Sequence, residues 1–280
     1  MTTVCFCSCK DLAAQAIKEQ LLKLYQFTET DQHFDSYPIY TLDQLSLVTI
    51  EQDSIYADNL DQHFTADLFI FASRHKSAAF KPALLTHVPG NWTDADLGGK
   101  ASTLCVAPSS ALKIALQTML EERRRLKLTD WACGLEATHH GPFIANIPVL
   151  YIEIGSTEQE WQNPTAAEII ARTIMSVYQR QDETYPTVLG FGGPHYCPSF
   201  TRLCAETQYA VGHVLPKYHL DQLNESMVQQ AIHQSSPPPT IAALDWKGMK
   251  SKHREQVKHI GENLGLEIQR VHKLLHQQDQ

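Results

Sequence analysis

The stretch Leu68-Phe-Ile-Phe-Ala-Ser-Arg-His75 places an apolar run of strand length just before a histidine. Its first five residues, Leu68–Ala72, show no alternation with polar residues, which is typical of a strand covered on both faces. Such strands occur in layered α/β folds, where ligands bind outside the carboxyl ends of the strands. The stretch therefore predicts a buried sheet and, at its edge, one candidate functional group, His75.

Similar patterns extend along the whole chain. Six more apolar runs predict buried strands, at Val4–Cys7, Leu45–Ile50, Leu104–Ala107, Val149–Ile154, Val188–Gly190 and Ile241–Leu244. Apolar residues at helical spacing predict five helices, at Lys10–Leu24, Ser109–Leu126, Pro164–Arg180, Leu223–Gln234 and Lys250–Leu264. This alternation indicates a three-layer α/β/α fold with a mixed, largely parallel sheet. We expect residues 1–280 to form a single α/β domain, with or without a small inserted lobe.

Composition limits the class of protein. No apolar run approaches the roughly 20 residues that a membrane helix needs, and the N-terminus lacks the pattern of a secretory signal. The odd number of cysteines, seven, fits a reducing compartment. We therefore expect a cytoplasmic protein without a membrane partner, as a monomer or small homo-oligomer.

The net charge of −8 argues against a generally basic nucleic-acid-binding surface. The dense basic run 123–127 ends a predicted helix, which favours a solvated helix end over a phosphate contact.

Six histidines lie in five short segments, each beside glycine, proline or a small hydroxyl residue. These segments are Phe71–Lys76, Thr86–Trp92, Ala137–Pro142, Gly192–Pro198 and Gly212–Tyr218. Imidazole titrates near neutral pH and is the commonest metal ligand in proteins. Any one segment could be an ordinary polar turn, but together they predict a hydrolytic or metal-assisted site.

Two carboxylates accompany these histidines. Glu153 interrupts the apolar run Val149–Ile154, and a buried carboxylate must be paired, hydrogen-bonded or shifted in pKa. It is a candidate base or metal-orienting group, with a structural hydrogen bond to loop amides as the alternative. Glu136 precedes His139 by three residues and is a second candidate. His139 and His140 would point to opposite faces of an extended chain.

The histidine segments and three further motifs, in this order, resemble the D-aminoacyl-tRNA deacylases of the archaeal and plant type. The motifs are Phe71-Ala-Ser-Arg-His75, Thr86-His-Val-Pro-Gly-Asn-Trp92, Gly98-Gly-Lys100, Ala137-Thr-His-His-Gly-Pro142, Ile152-Glu-Ile-Gly-Ser156, Gly192-Gly-Pro-His-Tyr196, Gly212-His-Val-Leu-Pro-Lys-Tyr218 and Asp245-Trp-Lys-Gly248. The resemblance runs from about residue 40 to the C-terminus. It implies a fold like that of peptidyl-tRNA hydrolases and nucleoside phosphorylases. It also implies zinc as cofactor and hydrolysis of the ester that joins a D-amino acid to the acceptor end of tRNA.

The resemblance also implies roles for individual residues. The catalytic candidates are His139, His195, Glu153 and Glu136. The candidate zinc ligands are His75, His139, His140 and His195. The candidate substrate contacts are His87, Lys100, Tyr196, His213 and Lys217. Where the family has glycine and alanine in the late loop, this chain has Pro194 and Cys197. Proline has no amide hydrogen, so Pro194 is excluded as an oxyanion donor.

Other interpretations remain open at this point. The histidines could bind the ribose and terminal adenine or shuttle protons without zinc. The chain could be a peptidyl-tRNA hydrolase, which would hydrolyse an N-blocked L-aminoacyl-tRNA. It could also act on a free nucleoside or small amide, in which case its activity would not require tRNA. A non-enzymatic RNA-binding protein would need stacking aromatics among spread basic residues, whereas aromatic residues here lie among histidines.

Overall fold

The computed structural model describes residues 1–78 and 80–277. Its strands are β1 (Thr3–Ser8), β2 (Thr28–Phe34), β3 (Tyr37–Leu42), β4 (Leu45–Ile50), β5 (Leu68–Lys76), β6 (Ala83–His87), β7 (Gly90–Asn91), β8 (Thr103–Leu104), β9 (Ala107–Pro108), β10 (Ala132–Leu135), β11 (Val149–Ser156), β12 (Thr187–Phe191), β13 (Ala210–Leu215), β14 (Ser235–Ser236), β15 (Ile241–Leu244) and β16 (Glu267–Arg270). Its helices are α1 (Leu12–Leu24), α2 (Ser109–Arg125), α3 (Glu158–Trp161), α4 (Pro164–Gln179), α5 (Pro198–Glu206), α6 (Glu225–His233), α7 (Ser251–Asn263) and α8 (Val271–Leu275).

Two sheets organise the chain. The large sheet has the order β10-β6-β11-β5-β1-β4-β3-β2, and its four central strands, from β11 to β4, are parallel. The β2–β3 hairpin adds antiparallel strands at one end, and β6 runs antiparallel to β11 at the other. The small sheet, β13-β12-β15-β16, is entirely parallel. The predicted α/β class with a mixed, largely parallel sheet is confirmed.

One hydrophobic core joins the two sheets. Ile70 of the large sheet, Ile114 of α2 and Val188 of the small sheet belong to the same buried cluster, together with residues of α1, α4 and α5. Helices α6 and α7 cover the other face of the small sheet. Both sheets therefore contribute to one buried core, and the single domain over residues 1–280 stays a prediction.

The other face of the large sheet has no α-helix packed on its centre within the described residues, although the short 3-10 helix Ser54–Tyr56 contacts β1. Phe6, Phe71 and Tyr151 point to this face and pack against residues of the loops near 57–60 and 144–147. A face covered by loops leaves room for a pocket above the strands. In the part of the chain that the structure describes, no helix combines the length and the apolar character needed to span a bilayer.

Two predictions about strands were wrong in detail. Leu104–Ala107 is not one strand, because β8 ends at Leu104 and β9 begins at Ala107. His75 does not follow its strand but lies inside β5, which continues to Lys76. The sequence also did not predict β2, β3, β6, β7, β10, β13, β14 or β16, nor the helices α3, α5 and α8. The residues of β2 are largely exposed and polar, so this strand lacks the apolar pattern on which the predictions were based.

Candidate functional site

Three neighbouring strands of the large sheet present polar side chains on its loop-covered face. His75 lies on β5, Glu153 on β11 and His87 at the end of β6. Side chains alternate along a strand, so His75 and Glu153 share the face of Phe71 and Tyr151. The site therefore lies on a sheet face, whereas the sequence predicted His75 at the edge of the sheet. Because β6 is antiparallel to β11, its last residue lies beside the middle of β11, where His87 pairs with Tyr151.

Two loops complete the group. The segment after β10 carries Glu136, His139 and His140, and the loop after β12 carries His195. A backbone hydrogen bond of 2.8 Å from the Ala137 amide to the His195 carbonyl joins these loops. The chain thus brings the small sheet's loop to the face of the large sheet. We call His75, His87, Glu136, His139, His140, Glu153 and His195 the histidine–glutamate cluster.

Glu136 is the centre of the cluster. Its Oε1 lies 2.9 Å from His195 Nε2 and 3.4 Å from His75 Nδ1, and its Oε2 lies 3.5 Å from His87 Nδ1. The carboxylate is buried, and neither oxygen has a hydrogen bond of good geometry among the described residues. Burial alone would raise the pKa of Glu136, but the His195 contact and the nearby His139 and His75 hold it below its usual range.

His139 and His140 lie on the same side of the site, contrary to the prediction of opposite faces. The reason is the backbone of His140, whose φ of 46° is left-handed and not extended. Each Nδ1 donates to a backbone carbonyl oxygen, from His139 to Ala137 at 2.7 Å and from His140 to Gly141 at 2.5 Å. These bonds place the proton of each neutral ring on Nδ1 and leave Nε2 as the unprotonated nitrogen.

Burial keeps three of the imidazoles neutral. It lowers the pKa of His87 and of His139 well below the ordinary value, and that of His140 to about 4. The Nε2 atoms of His87 and His140 are 3.1 Å apart, and the ring centroids of His87 and His139 are 4.2 Å apart. Three neutral imidazoles packed together in this way are typical of a metal site, which needs deprotonated nitrogen ligands.

His75 and Glu153 form the second part of the cluster. His75 Nδ1 lies 3.6 Å from Glu153 Oε2, and its Nε2 lies 3.1 Å from the Tyr196 hydroxyl. Burial raises the pKa of Glu153 to about 7, assisted by the negative charge of Glu136. Burial opposes the charged form of His75, but its contacts with both carboxylates raise the pKa of His75 above its ordinary value.

A pocket of about 400 Å³ opens in front of the cluster. Cluster residues His75, His139, His140, Glu153 and His195 line one part of it, and the rest is lined by Asp11, Asp53, Ser54, Ile55, Ser73, Arg74, Lys76 and Leu97. The side chain of His195 is 31% exposed, whereas that of Glu136 is fully enclosed. A substrate in this pocket would therefore meet His195 and Glu153 but not Glu136.

Three overlapping groups in the cluster have donor atoms close enough to share a metal ion. They are His87 with His139 and His140, Glu136 with His139 and His195, and His75 with Glu136 and Glu153. The four predicted zinc ligands are thus distributed among three groups. His87, predicted as a substrate contact, lies instead in the group made only of imidazoles.

The remaining predicted substrate contacts lie around the cluster. The Tyr196 hydroxyl contacts His75 and donates to Ser77 at 3.0 Å. Lys217 is exposed, and its backbone amide donates to the Gly193 carbonyl in the His195 loop. Lys100 is exposed with its Nζ 3.9 Å from the centre of the Phe143 ring. These positions leave both ammonium groups open to solvent.

The structure does not bring His213 into the cluster. Its ring is fully buried on β13, with Nδ1 3.1 Å from the Thr138 hydroxyl and Nε2 3.0 Å from two backbone carbonyls, those of Cys105 and Gln234. Burial lowers the pKa of His213 to about 4. Both nitrogens are occupied by the protein, so we assign His213 a structural role in place of the predicted substrate contact.

We expect His213→Ala to lower the free energy of unfolding by about 3 kcal/mol, because it leaves buried polar groups unpaired and opens a cavity. The unfolded chain takes up the imidazole proton near pH 6.5, and the folded chain only near pH 4. His213 therefore stabilises the fold above pH 6.5, and the difference between wild type and variant should shrink as the pH falls towards 4. Urea unfolding at several pH values measures this, with exposed His33→Ala as the control. Equal stability of wild type and variant at pH 7 would contradict the assignment.

Sequence reasoning missed three residues of the site. The Tyr218 hydroxyl lies 3.1 Å from His195 Nδ1, and burial raises the pKa of Tyr218 to about 12. Tyr151 stacks on His87 with ring centroids 5.2 Å apart. Asp11 caps α1 and accepts hydrogen bonds from the Arg74 amide and the Ser73 hydroxyl. Tyr218 directly follows Lys217 in a histidine segment, which was a usable signal, whereas Tyr151 looked like any strand aromatic.

Comparisons with known proteins agree on one family. A sequence model described as D-aminoacyl-tRNA deacylase matches residues 62–269. The chain is 40% identical to a D-aminoacyl-tRNA deacylase of Thermococcus onnurineus, covering 92% of this chain and 96% of that protein. It is 38% identical to one of Methanosarcina acetivorans, covering 94% and 90%. A crystal structure of a conserved protein of unknown function, AF0625, has a TM-score of 0.91 and 29% identity, covering 99% of this chain and 97% of that one.

Proposed function

The chain belongs to the D-aminoacyl-tRNA deacylase family, and we propose that its histidine–glutamate cluster hydrolyses the ester bond of D-aminoacyl-tRNA. The products are free tRNA and the D-amino acid, so the reaction removes wrongly charged tRNA from translation. Because translation supplies this substrate, we place the reaction in the cytoplasm. The observation that carries the proposal is Glu136, a buried carboxylate enclosed by three imidazoles, two of which, His75 and His195, line an open pocket.

Ester hydrolysis needs a base for the attacking water and an acid for the leaving ribose oxygen. We assign the base to Glu153, which lines the pocket, and the acid to His195, the exposed imidazole beside it. Water adds to the ester carbonyl and gives its proton to Glu153. The bond to the ribose oxygen then breaks, and that oxygen takes a proton from His195.

The same residues offer a path by which the proton taken up by Glu153 can return to His195 before the next reaction. His75 Nδ1 lies within 3.6 Å of Glu153 and 3.4 Å of Glu136, and Glu136 lies 2.9 Å from His195. A proton can pass from Glu153 through His75 and Glu136 back to His195. The Tyr196 and Tyr218 hydroxyls hold the outer nitrogens of the two histidines and fix their orientation.

The cluster also fits a zinc ion, the cofactor that the family resemblance implies. His139 and His140 are neutral, and backbone carbonyls hold their protonated Nδ1 atoms, which leaves Nε2 as the unprotonated nitrogen. Glu136 faces Nδ1 of His87 in the same way, as carboxylates do behind metal-bound imidazoles. We propose that these three histidines hold zinc and that His75 and His195 serve proton transfer. A bound zinc supplies a Lewis acid and a water of lowered pKa.

His139→Ala should remove most of the bound zinc, because one of three imidazole ligands is lost. Metal content per chain, measured by mass spectrometry on protein purified in zinc-supplemented buffer, checks this result. His259→Ala, an exposed histidine of α7, is the matched control and should keep the wild-type content. Equal zinc content in His139→Ala and wild type would exclude His139 as a ligand.

The alternative hydrolase function is tested by the choice of substrate. Purified protein is incubated separately with D-tyrosyl-tRNA and N-acetyl-L-tyrosyl-tRNA, and the released amino acid is measured. The proposal predicts release from D-tyrosyl-tRNA alone. Release from the N-blocked substrate alone would identify a peptidyl-tRNA hydrolase, and release from neither would point to a free nucleoside or amide as substrate.

A further inference from the structure

A second, smaller pocket lies at the carboxyl ends of β15 and β16 in the small sheet. It has a volume of about 110 Å³ and is lined by three cationic side chains, those of Lys258, Arg270 and Lys273, together with Trp246, Gln269 and two aliphatic residues. A water molecule occupies roughly 30 Å³ in the liquid, so this volume accommodates a group the size of phosphate. Among the described residues, no carboxylate lines it. We call it the cation pocket.

The cations are held around one aromatic ring. The guanidinium of Arg270 lies 3.8 Å from the centre of the Trp246 ring, with Arg254 at 4.5 Å and the Lys258 ammonium at 5.6 Å. Arg254 also donates to the backbone carbonyls of Trp246 and Met249, which holds the backbone of this turn in place. Lys258 is paired with Glu255 at 3.3 Å, so Arg270 and Lys273 carry the pocket's unbalanced positive charge.

The surrounding segment is basic although the chain is acidic. Residues 246–273 contain seven Lys and Arg but three Glu, a net charge of +4, whereas the whole chain carries −8. Like charges gathered in this way repel each other and attract an anion. The charge distribution therefore favours a polyanionic partner at this end of the molecule.

The cation pocket lies at the same edge of the small sheet as the catalytic loop. Strands β12, β15 and β16 are parallel neighbours, and Phe191, Leu244 and Arg270 are paired across their carboxyl ends. Adjacent strands are about 4.8 Å apart, so Arg270 lies about 10 Å across the sheet from the strand that leads into the His195 loop.

Asp245 links the pocket to that loop. It follows β15 directly, precedes Trp246, and accepts a hydrogen bond of 3.0 Å from Ser199, just after the loop. A side-chain carbon at Gly193 would lie only 2.9 Å from its carboxylate, so the loop and the Asp245–Trp246 turn are in close contact. The Asp245–Trp246 turn therefore connects the cation pocket to the His195 loop through direct contacts.

We propose that the cation pocket binds a backbone phosphate of the tRNA acceptor end while the esterified ribose occupies the catalytic pocket. This inference rests on the proposed function, since it assumes that tRNA is the substrate. The pocket would contribute affinity independent of base sequence, because phosphate contacts position a nucleic acid without reading it.

The test compares two esters of D-tyrosine, D-tyrosyl-tRNA and D-tyrosyl-adenosine, which has no phosphate. The variant Arg270→Ala/Lys273→Ala should raise KM for D-tyrosyl-tRNA about tenfold more than KM for D-tyrosyl-adenosine. The slope of log affinity for uncharged tRNA against log salt concentration should fall by about 1 per lost contact. If the double variant does not fold, Lys273→Ala is tested alone. It leaves the Trp246 contacts in place and should show the same effect at smaller size.

Arg124→Ala/Lys127→Ala is the matched control, since it removes two cations from the other basic run at the end of α2. Equal KM increases for the control and the pocket variant would overturn the proposal, as would equal changes for the two substrates. Binding of inorganic phosphate at matched ionic strength, without a tRNA-specific KM effect, would assign the pocket to a free anion and also overturn it. If the wild type hydrolyses neither ester, the proposed function fails. The salt dependence of tRNA binding then still shows whether the cation pocket contacts tRNA phosphates.

Discussion

Glu136→Gln should lower kcat for D-tyrosyl-tRNA by at least about 100-fold, the scale of a lost acid–base group. Glutamine has nearly the same shape but no charge. His75, His87 and His195 would then lose the carboxylate that lies within 3.5 Å of each ring. The proton path between Glu153 and His195 would be broken, and the orientation of His87 would no longer be fixed. Initial rates measured under saturating substrate check this expectation.

Two controls separate chemistry from folding. Glu168→Gln removes a carboxylate that pairs with Arg172 at 2.9 Å on α4, away from the cluster, and should leave kcat unchanged. The far-ultraviolet circular dichroism of Glu136→Gln should match that of the wild type. A correctly folded Glu136→Gln protein with kcat within threefold of the wild type would remove Glu136 from the mechanism.

Lys113→Met should destabilise the fold by about 3 kcal/mol or more, with a correspondingly lower Tm. Lys113 lies on α2 with 1% of its surface exposed, and its ammonium donates to the carbonyl oxygens of Cys204, Thr207 and Tyr209. Methionine fills similar space without a donor, so three carbonyl groups would be left unpaired. They lie at the end of α5 and in the turn leading to β13, next to the core shared by the two sheets.

Urea unfolding of Lys113→Met measures the loss directly. Lys23→Met, an exposed lysine in the last turn of α1, is the matched control and should change stability by less than about 0.5 kcal/mol. If the two variants unfold at the same urea concentration, the buried ammonium does not hold the turn after α5.

The sequence predicted the strands and helices in which buried side chains leave a regular pattern of apolar residues. Apolar runs located β4 and β15 at their observed bounds, and helical spacing located α1, α2, α4, α6 and α7 to within about two residues. Lys113 was hidden because it adjoins Leu112 in the apolar stripe of α2, and helical periodicity does not reveal a charged residue that carbonyls satisfy. The spacing of apolar residues thus predicts which face of a helix is buried. It does not show which groups a buried polar side chain contacts.

The candidate site was predicted in its residue types but not in its arrangement. The histidines at 75, 139, 140 and 195 do come together with Glu136 and Glu153, because they lie in loops and strands that meet at one sheet face. The left-handed backbone of His140 and the antiparallel direction of β6 could not be read from the chain. These two features turn His140 to the side of His139 and bring His87 into the cluster.

The most direct test is the release of tyrosine from D-tyrosyl-tRNA and L-tyrosyl-tRNA by the purified protein, before chelation, after chelation and after zinc is restored. We expect rapid release from the D-ester alone, loss of this activity on chelation and recovery with zinc. Release of both enantiomers at equal rates, or of neither, would contradict D-aminoacyl-tRNA hydrolysis at the histidine–glutamate cluster.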